Sequence, residues 1–246
     1  AGMACVLLLE QLVPDPSDEY AGSGNALLND VLGATTEIFA PDRRTPEVVE
    51  DRLATIRAGG GSPAFIPAGG SHGVGALGSV AAAIETAEQA AAAGVGFDHV
   101  VLASGSGGTQ AGWLVGTASG GDRASVIGVS VSADRATVVE KVAGVADECT
   151  DLLGVPPVPT NEITLDDGFV GAGYGRPDER TFEAIDLFAT TEGNLLDPVY
   201  TGKAAACLVD ACRTGRFGPG ERVLFLHTGG QVANFAYRTA LARRRV

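Results

Sequence analysis

A chain of 246 residues, 45% of them hydrophobic, is long enough for one large domain or two small ones and apolar enough to bury a substantial core. Its 30 acidic residues against 17 basic ones leave a net charge of -13, which disfavours nucleic acid and anionic membrane as partners because both are polyanions. No run approaches the roughly 18 apolar residues of a transmembrane helix, so a small-molecule partner fits this surface better.

The opening stretch AGMACVLLLE reads as the end of a helix running into a strand over Cys5–Glu10. With no cap and no lead-in, it leads us to expect a chain that begins partway through a domain. Further strands are predicted at Glu37–Ala40, Ala64–Pro67, His99–Ala103, Val126–Val131 and Arg222–His227, from short runs rich in Val, Ile, Leu and Phe. Between them lie helical patterns. Asn25–Leu32 puts Leu27, Leu28, Val31 and Leu32 on one face and meets Gly33 as a C-cap. Thr45–Ala58 opens on Thr-Pro-Glu and closes on Gly59–Gly61. An alanine-rich helix over Leu77–Ala93 ends at Gly94, another starts at Gln110, and Asp178–Thr191 follows the proline-rich linker Gly154–Glu162. Alternating strands and helices predict an α/β fold of open, mostly parallel twisted sheets flanked by helices. We divide it at the glycine triplet into residues 1–60, the remainder of a small α/β domain, and residues 61–246, a larger cofactor-binding domain.

Cys5, Cys149, Cys207 and Cys212 show neither Cys-x-x-Cys nor a His/Cys metal spacing, so they read as buried thiols of a reducing, cytoplasmic compartment. No metal site is expected, including at the acidic turn Asp166–Asp167. Trp113 reads as core. His72 and His227, beside glycine turns, read either as acid-base groups or as polar residues satisfied by backbone; His99 reads as structural.

The stretch VLASGSGGTQAG, Val101–Gly112, is a strand, a glycine turn and a helix start, which points unpaired amides and a positive dipole end at an anion. Gln110 stands where a dinucleotide fingerprint needs its third glycine, and no lysine follows as a Walker A loop requires. Phosphate binding and a plain tight turn both remain open at this point. Two other strand ends, IPAGGSHGVG with Ser71 and LFLHTGG with Thr228, likewise carry small or hydroxyl residues where backbone approaches a ligand closely.

Taken in order, IPAGGSHGVGALG, VVLASGSGGTQAGW, GAGYGRP, LDPVYTGKA and VLFLHTGG resemble the motifs of the D-cysteine desulfhydrase and 1-aminocyclopropane-1-carboxylate deaminase family. The resemblance implies a fold like the β subunit of tryptophan synthase, pyridoxal 5'-phosphate as cofactor, a small amino-acid substrate and a homodimer. It implies a phosphate cradle at Gly105, Ser106, Gly107, Gly108 and Thr109, a ring-stacking Tyr200 and a second active-site tyrosine at Tyr174. From the residues themselves, Ser71 reads either as a holder of a substrate carboxylate or as an ordinary turn hydroxyl. Thr201 and Thr228 stand where the deaminases carry Glu and Leu, which resembles the desulfhydrase branch. A hydroxyl near the ring nitrogen holds a proton there less fully than a carboxylate, which suits expulsion of a good thiol leaving group.

One expected residue does not occur. The family's Schiff-base lysine sits in a Gly-Asn-Lys stretch, accompanied by a Ser-Asn-His segment, and both are expected before Ala1. Lys141 reads as a solvated charge beside Glu140, and Lys203 falls in the first turn of the helix after Tyr200, which is not the family's Schiff-base position. The resulting expectation, held for the intact protein rather than for these 246 residues alone, is a lyase releasing sulfide, ammonia and pyruvate from D-cysteine or a relative. The alternatives are a 1-aminocyclopropane-1-carboxylate deaminase, a cysteate sulfo-lyase, and a non-catalytic binder of phosphate esters.

Overall fold

In a computed structural model of the chain, residues 2–14, 16–121 and 124–242 are described. Contacts divide the chain into two units, Ala1–Ile66 with Val232–Val246, and Pro67–Gln231. The division falls six residues beyond the glycine triplet, and the C-terminal segment joins the first unit, where the sequence had assigned it to the second.

The first unit holds two parallel strands, β1 (Val6–Glu10) and β2 (Thr35–Phe39), with Val6 opposite Thr35 and Glu10 opposite Phe39. Helix α1 (Asp18–Gly22) is capped by Ser17, whose hydroxyl accepts from the Tyr20 amide at 3.2 Å. Helix α2 (Asn25–Val31) forms where predicted, but Leu27, Leu28, Val31 and Leu32 stay exposed, the last at 81%. Helix α3 (Pro46–Ala58) starts on Thr45 with Pro at its first position, as the Thr-Pro-Glu signal dictates. A final helix, Arg238–Ala242, is tied to α1 by Arg238 Nε donating to Glu19 at 2.9 Å. Gly2–Ala4, read as a helix end, is non-helical, and Ala1 lies outside the described residues.

The second unit is a four-stranded parallel sheet in the order β5-β4-β3-β6, built from β3 (His99–Ser104), β4 (Ser125–Ser130), β5 (Thr164–Asp166) and β6 (Val223–Phe225). β3 and β4 bury nearly every residue, as a parallel sheet covered on both faces demands. Around it lie α4 (Gly73–Ala92), α5 (Gly108–Gly120), α6 (Arg135–Leu153), α7 (Glu179–Glu192) and α8 (Thr201–Thr214). Gly112 and Gly116 let α5 press onto α4: a Cβ at Gly116 would sit 2.6 Å from Val80 O. Val115, Val138, Val142 and Ala146 fill one side of the sheet, while Trp113, Val100, Leu102 and Val126 form the second core cluster.

Several sequence expectations need correction. Ala64–Pro67 forms no strand and leads into a short 3-10 turn at Ala68–Gly70, because Pro63 and Pro67 have no amide to give a ladder. β6 is half the length predicted. β5, which no strand prediction covered, runs into what read as an acidic turn: Asp166 ends the strand and accepts from Arg216 at 2.7 Å, and Asp167 accepts from the Arg135 amide at 2.8 Å. Of the four cysteines, Cys149 and Cys207 are buried and Cys5 and Cys212 are exposed. Among the described residues no helix is long and apolar enough to cross a membrane.

Candidate active site

The carboxyl end of β3 supplies the central loop. After Ser104 the chain turns through Gly105–Gly107, and α5 starts at Gly108. Gly107 has φ +93°, a left-handed conformation that side chains resist, and a Cβ there would meet Val142 N of α6 at 3.1 Å. A Cβ at Gly105 would meet Val131 Cγ2 at 3.1 Å and lie 3.7 Å from Tyr200 Cε1, so the loop passes directly beside Tyr200. Ser71, just ahead of α4, braces it: its hydroxyl donates to Ser106 Oγ at 2.7 Å and accepts from Gly108 N at 3.2 Å. Among the described residues no hydrogen bond takes the amides of Ser106, Gly107 or Thr109, and the buried Ser104 Oγ has no partner. Free amides at a helix start are donors suited to an anion.

α4 is fixed at that end from α6. Glu148 Oε2 accepts from Gly73 N at 2.5 Å, and His72 Nδ1 accepts from Gly75 N at 3.4 Å. His72 thus caps a helix.

Tyr200 precedes α8 in a turn organised by Asp197. The Asp197 carboxylate, fully buried, accepts from the amides of Val199, Tyr200 and Thr201, each at 2.8 Å, and from Thr201 Oγ1 at 2.7 Å. The Asp197 amide donates back to Thr201 Oγ1 at 2.9 Å. Both capacities of the Thr201 hydroxyl are therefore spent on Asp197. The Tyr200 hydroxyl meets that of Tyr174 at 2.6 Å, with the rings edge-on. Burial, reinforced by Tyr200 and Asp197, pushes the Tyr174 ionisation far above the ordinary phenol range, so this hydroxyl keeps its proton.

Thr228 lies exposed beyond β6, and Gly230 two residues on crosses Asp197 so closely that a Cβ would sit 2.6 Å from Oδ1. His227 Nδ1 accepts from Gly229 N at 3.1 Å, which leaves the proton on Nε2 to donate to Leu195 O at 3.0 Å. Both ring nitrogens are satisfied by backbone. Every site residue named from sequence, Ser71, the loop Gly105–Thr109, Tyr174, Tyr200, Thr201 and Thr228, thus falls in the second unit.

Sequence reasoning passed over Asp197 and did not foresee the burial of Lys203. Asp197 had a readable signal, an Asp-Pro turn opening four residues before a helical Thr. Lys203 had none: a lysine in a helix ordinarily faces water, yet this one is fully buried, with Nζ donating to the carbonyls of Val170 at 2.7 Å, Gly173 at 2.8 Å and Val131 at 3.3 Å. Burial pushes its pKa down to about 8, against the pull of Asp178. Lys141 is exposed on α6.

Residues 1–229 match the family model described as pyridoxal-phosphate dependent enzyme. The chain belongs to the pyridoxal-phosphate dependent enzyme family. Relatives of this pyridoxal-phosphate enzyme include the D-cysteine desulfhydrase of Klebsiella pneumoniae (strain 342), 40% identical over 240 residues, 98% of this chain and 72% of that protein. The 1-aminocyclopropane-1-carboxylate deaminase of Burkholderia vietnamiensis is also 40% identical, over 96% of this chain and 71% of that protein. A crystal structure titled as an ACC deaminase homologue superposes with a TM-score of 0.82 at 30% identity, covering 98% of this chain and 78% of that one. This is a fold type II pyridoxal-phosphate enzyme of the desulfhydrase and deaminase group. The free loop amides and the tyrosine pair beside them fit the cofactor's phosphate and ring. Covalent attachment finds no group among the described residues, since Lys203 is enclosed with its donors committed and Lys141 is on the exposed face of α6.

Proposed function

We propose that the protein is a lyase that removes sulfide and ammonia from D-cysteine, or a closely related β-substituted amino acid, leaving pyruvate. When bound, pyridoxal phosphate supplies an electron sink for the pair left behind as the α-proton departs. The loop Gly105–Thr109 would grip the phosphate through its amides and the positive end of α5. Tyr200 would flank the ring, and Tyr174, whose proton is held firmly, would donate to a developing anion on the substrate rather than remove a proton. Ser71 reaches a substrate carboxylate by exchanging the bond it donates to Ser106.

The observation that carries the choice of substrate is the commitment of Thr201 to Asp197, which leaves the exposed Thr228 as the hydroxyl for the ring nitrogen. A neutral hydroxyl there makes a weaker sink than a carboxylate, adequate for expelling a thiol from the β-carbon and poorly matched to opening a cyclopropane. A cysteate sulfo-lyase is a third chemistry for the same pocket. We place the enzyme in the cytoplasm as a homodimer, on the family resemblance and the free thiols.

The test is product analysis on the purified protein supplied with pyridoxal phosphate. Sulfide and pyruvate from D-cysteine are expected; 2-oxobutyrate from the cyclopropane amino acid, or sulfite from cysteate, as the main product overturns the choice. The placement of both lysines favours one other reading, a non-catalytic binder of phosphate esters. It would show reversible cofactor binding with no borohydride-stable adduct.

A further inference from the structure

We propose that Lys203 is a positioning residue for Tyr174: its ammonium clamps the bend Val170–Gly173 to the end of β4 and so sets the Tyr174 hydroxyl against that of Tyr200. The bend is rich in glycine. Gly171, Gly173 and Gly175 all take positive φ, at +64°, +127° and +68°, so an unrestrained chain would leave this conformation readily. Its own turn bonds are Val170 N to Asp167 O and Gly173 N to Val170 O, both at 3.4 Å, and Arg176 N to Gly173 O at 3.2 Å. Lys203 reaches in from α8 with three N–H donors and meets three carbonyls, two in the bend and one, Val131 O, just past β4. Each donor has one acceptor. A buried cation is retained only where such partners compensate its lost hydration. With all three protons engaged, no lone pair is free for attack on a carbonyl, which separates this lysine from a nucleophile. Lys203 and Asp197 thus each serve the tyrosine pair, one fixing the Tyr174 segment and the other the Tyr200 turn.

The proposal rests on the reading that this pair faces cofactor and substrate, and the experiment separates the two. Tyrosines labelled with carbon-13 at Cζ are observed by NMR at neutral pH in the 246-residue chain, which contains four of them, with signals assigned by Tyr174→Phe and Tyr200→Phe. In Lys203→Met the Tyr174 and Tyr200 signals are expected to move to the position of solvated tyrosine, while those of Tyr20 and Tyr237 stay. A variant with wild-type circular dichroism and all four signals unmoved overturns the clamp. Should the methionine variant fail to fold, amide exchange on the wild-type chain decides: protection of Val170–Gly175 comparable to α8 supports the clamp, and open-chain exchange there beside a protected α8 overturns it. Pyridoxal phosphate affinity is measured alongside. A roughly tenfold loss in Lys203→Met, about 1.4 kcal/mol, is expected; a wild-type chain with no affinity overturns the cofactor-facing reading and leaves the NMR result to judge Lys203.

Discussion

Asp197 shows how a single carboxylate can organise a site without touching a ligand. Its two oxygens each accept two hydrogen bonds from the turn that delivers Tyr200, so an amide in its place would turn an NH2 group toward existing donors. Asp197→Asn is expected to cost about 3 kcal/mol, read as a lower urea midpoint at unchanged m-value, and to weaken cofactor binding by releasing Tyr200. The motif LDPVYTGKA drew attention to Tyr200 and Thr201 as neighbours in sequence. It was silent on which hydroxyl is free, because Thr201 looks like any other threonine until Asp197 is seen to occupy both sides of it.

At the scale of elements, the junction of α4 with α6 carries the most weight. Glu148, on the second turn from the end of α6, serves the first turn of α4 through Gly73 N, compensating a donor that α4 itself cannot satisfy. Glu148→Ala is expected to cost about 1 kcal/mol and, by loosening Ser71 two residues upstream, to weaken phosphate binding a few-fold, measured by phosphorus NMR titration. Helices with a clear start signal were legible, as at Thr45 and at Asp178, whose carboxylate accepts from Thr181 N at 2.9 Å, whereas the short helices Asp18–Gly22 and Arg238–Ala242 were not anticipated. Helix starts rich in glycine were read four residues late at α4 and two late at α5, since glycine gives no helical signal. β5 was missed because three residues are too few to show a period.

For the whole molecule, the buried titratable groups predict how stability depends on pH. Lys203 titrates at about 8 in the fold and at 10.5 by its ordinary value, so between these the unfolded chain holds the extra proton and stability rises with pH. Cys207 is pushed up by burial to about 12 from 9.0, and Cys149 and Tyr174 are also raised. For these the folded chain holds the extra proton, and stability falls as pH climbs past their unfolded values. Lys203 contributes a rise of about 1 kcal/mol from pH 8 to 9, which the thiols partly offset, and the profile then declines. Urea midpoints across this range check it. Cys207→Ala, which removes one of the descending contributions, should make the decline shallower.

The sequence alone determined that strands alternate with helices, that glycine turns follow strand ends, and that the loop after β3 suits an anion, because each of these depends on residues adjacent along the chain. Tertiary structure decided that β5 lies at one sheet edge and β6 at the other, that Ser71 braces a loop more than thirty residues away, and that Lys203 is buried beneath three carbonyls. These are properties of distant segments brought together by packing, and no local pattern of polarity or spacing encodes the partner that a buried charge will find.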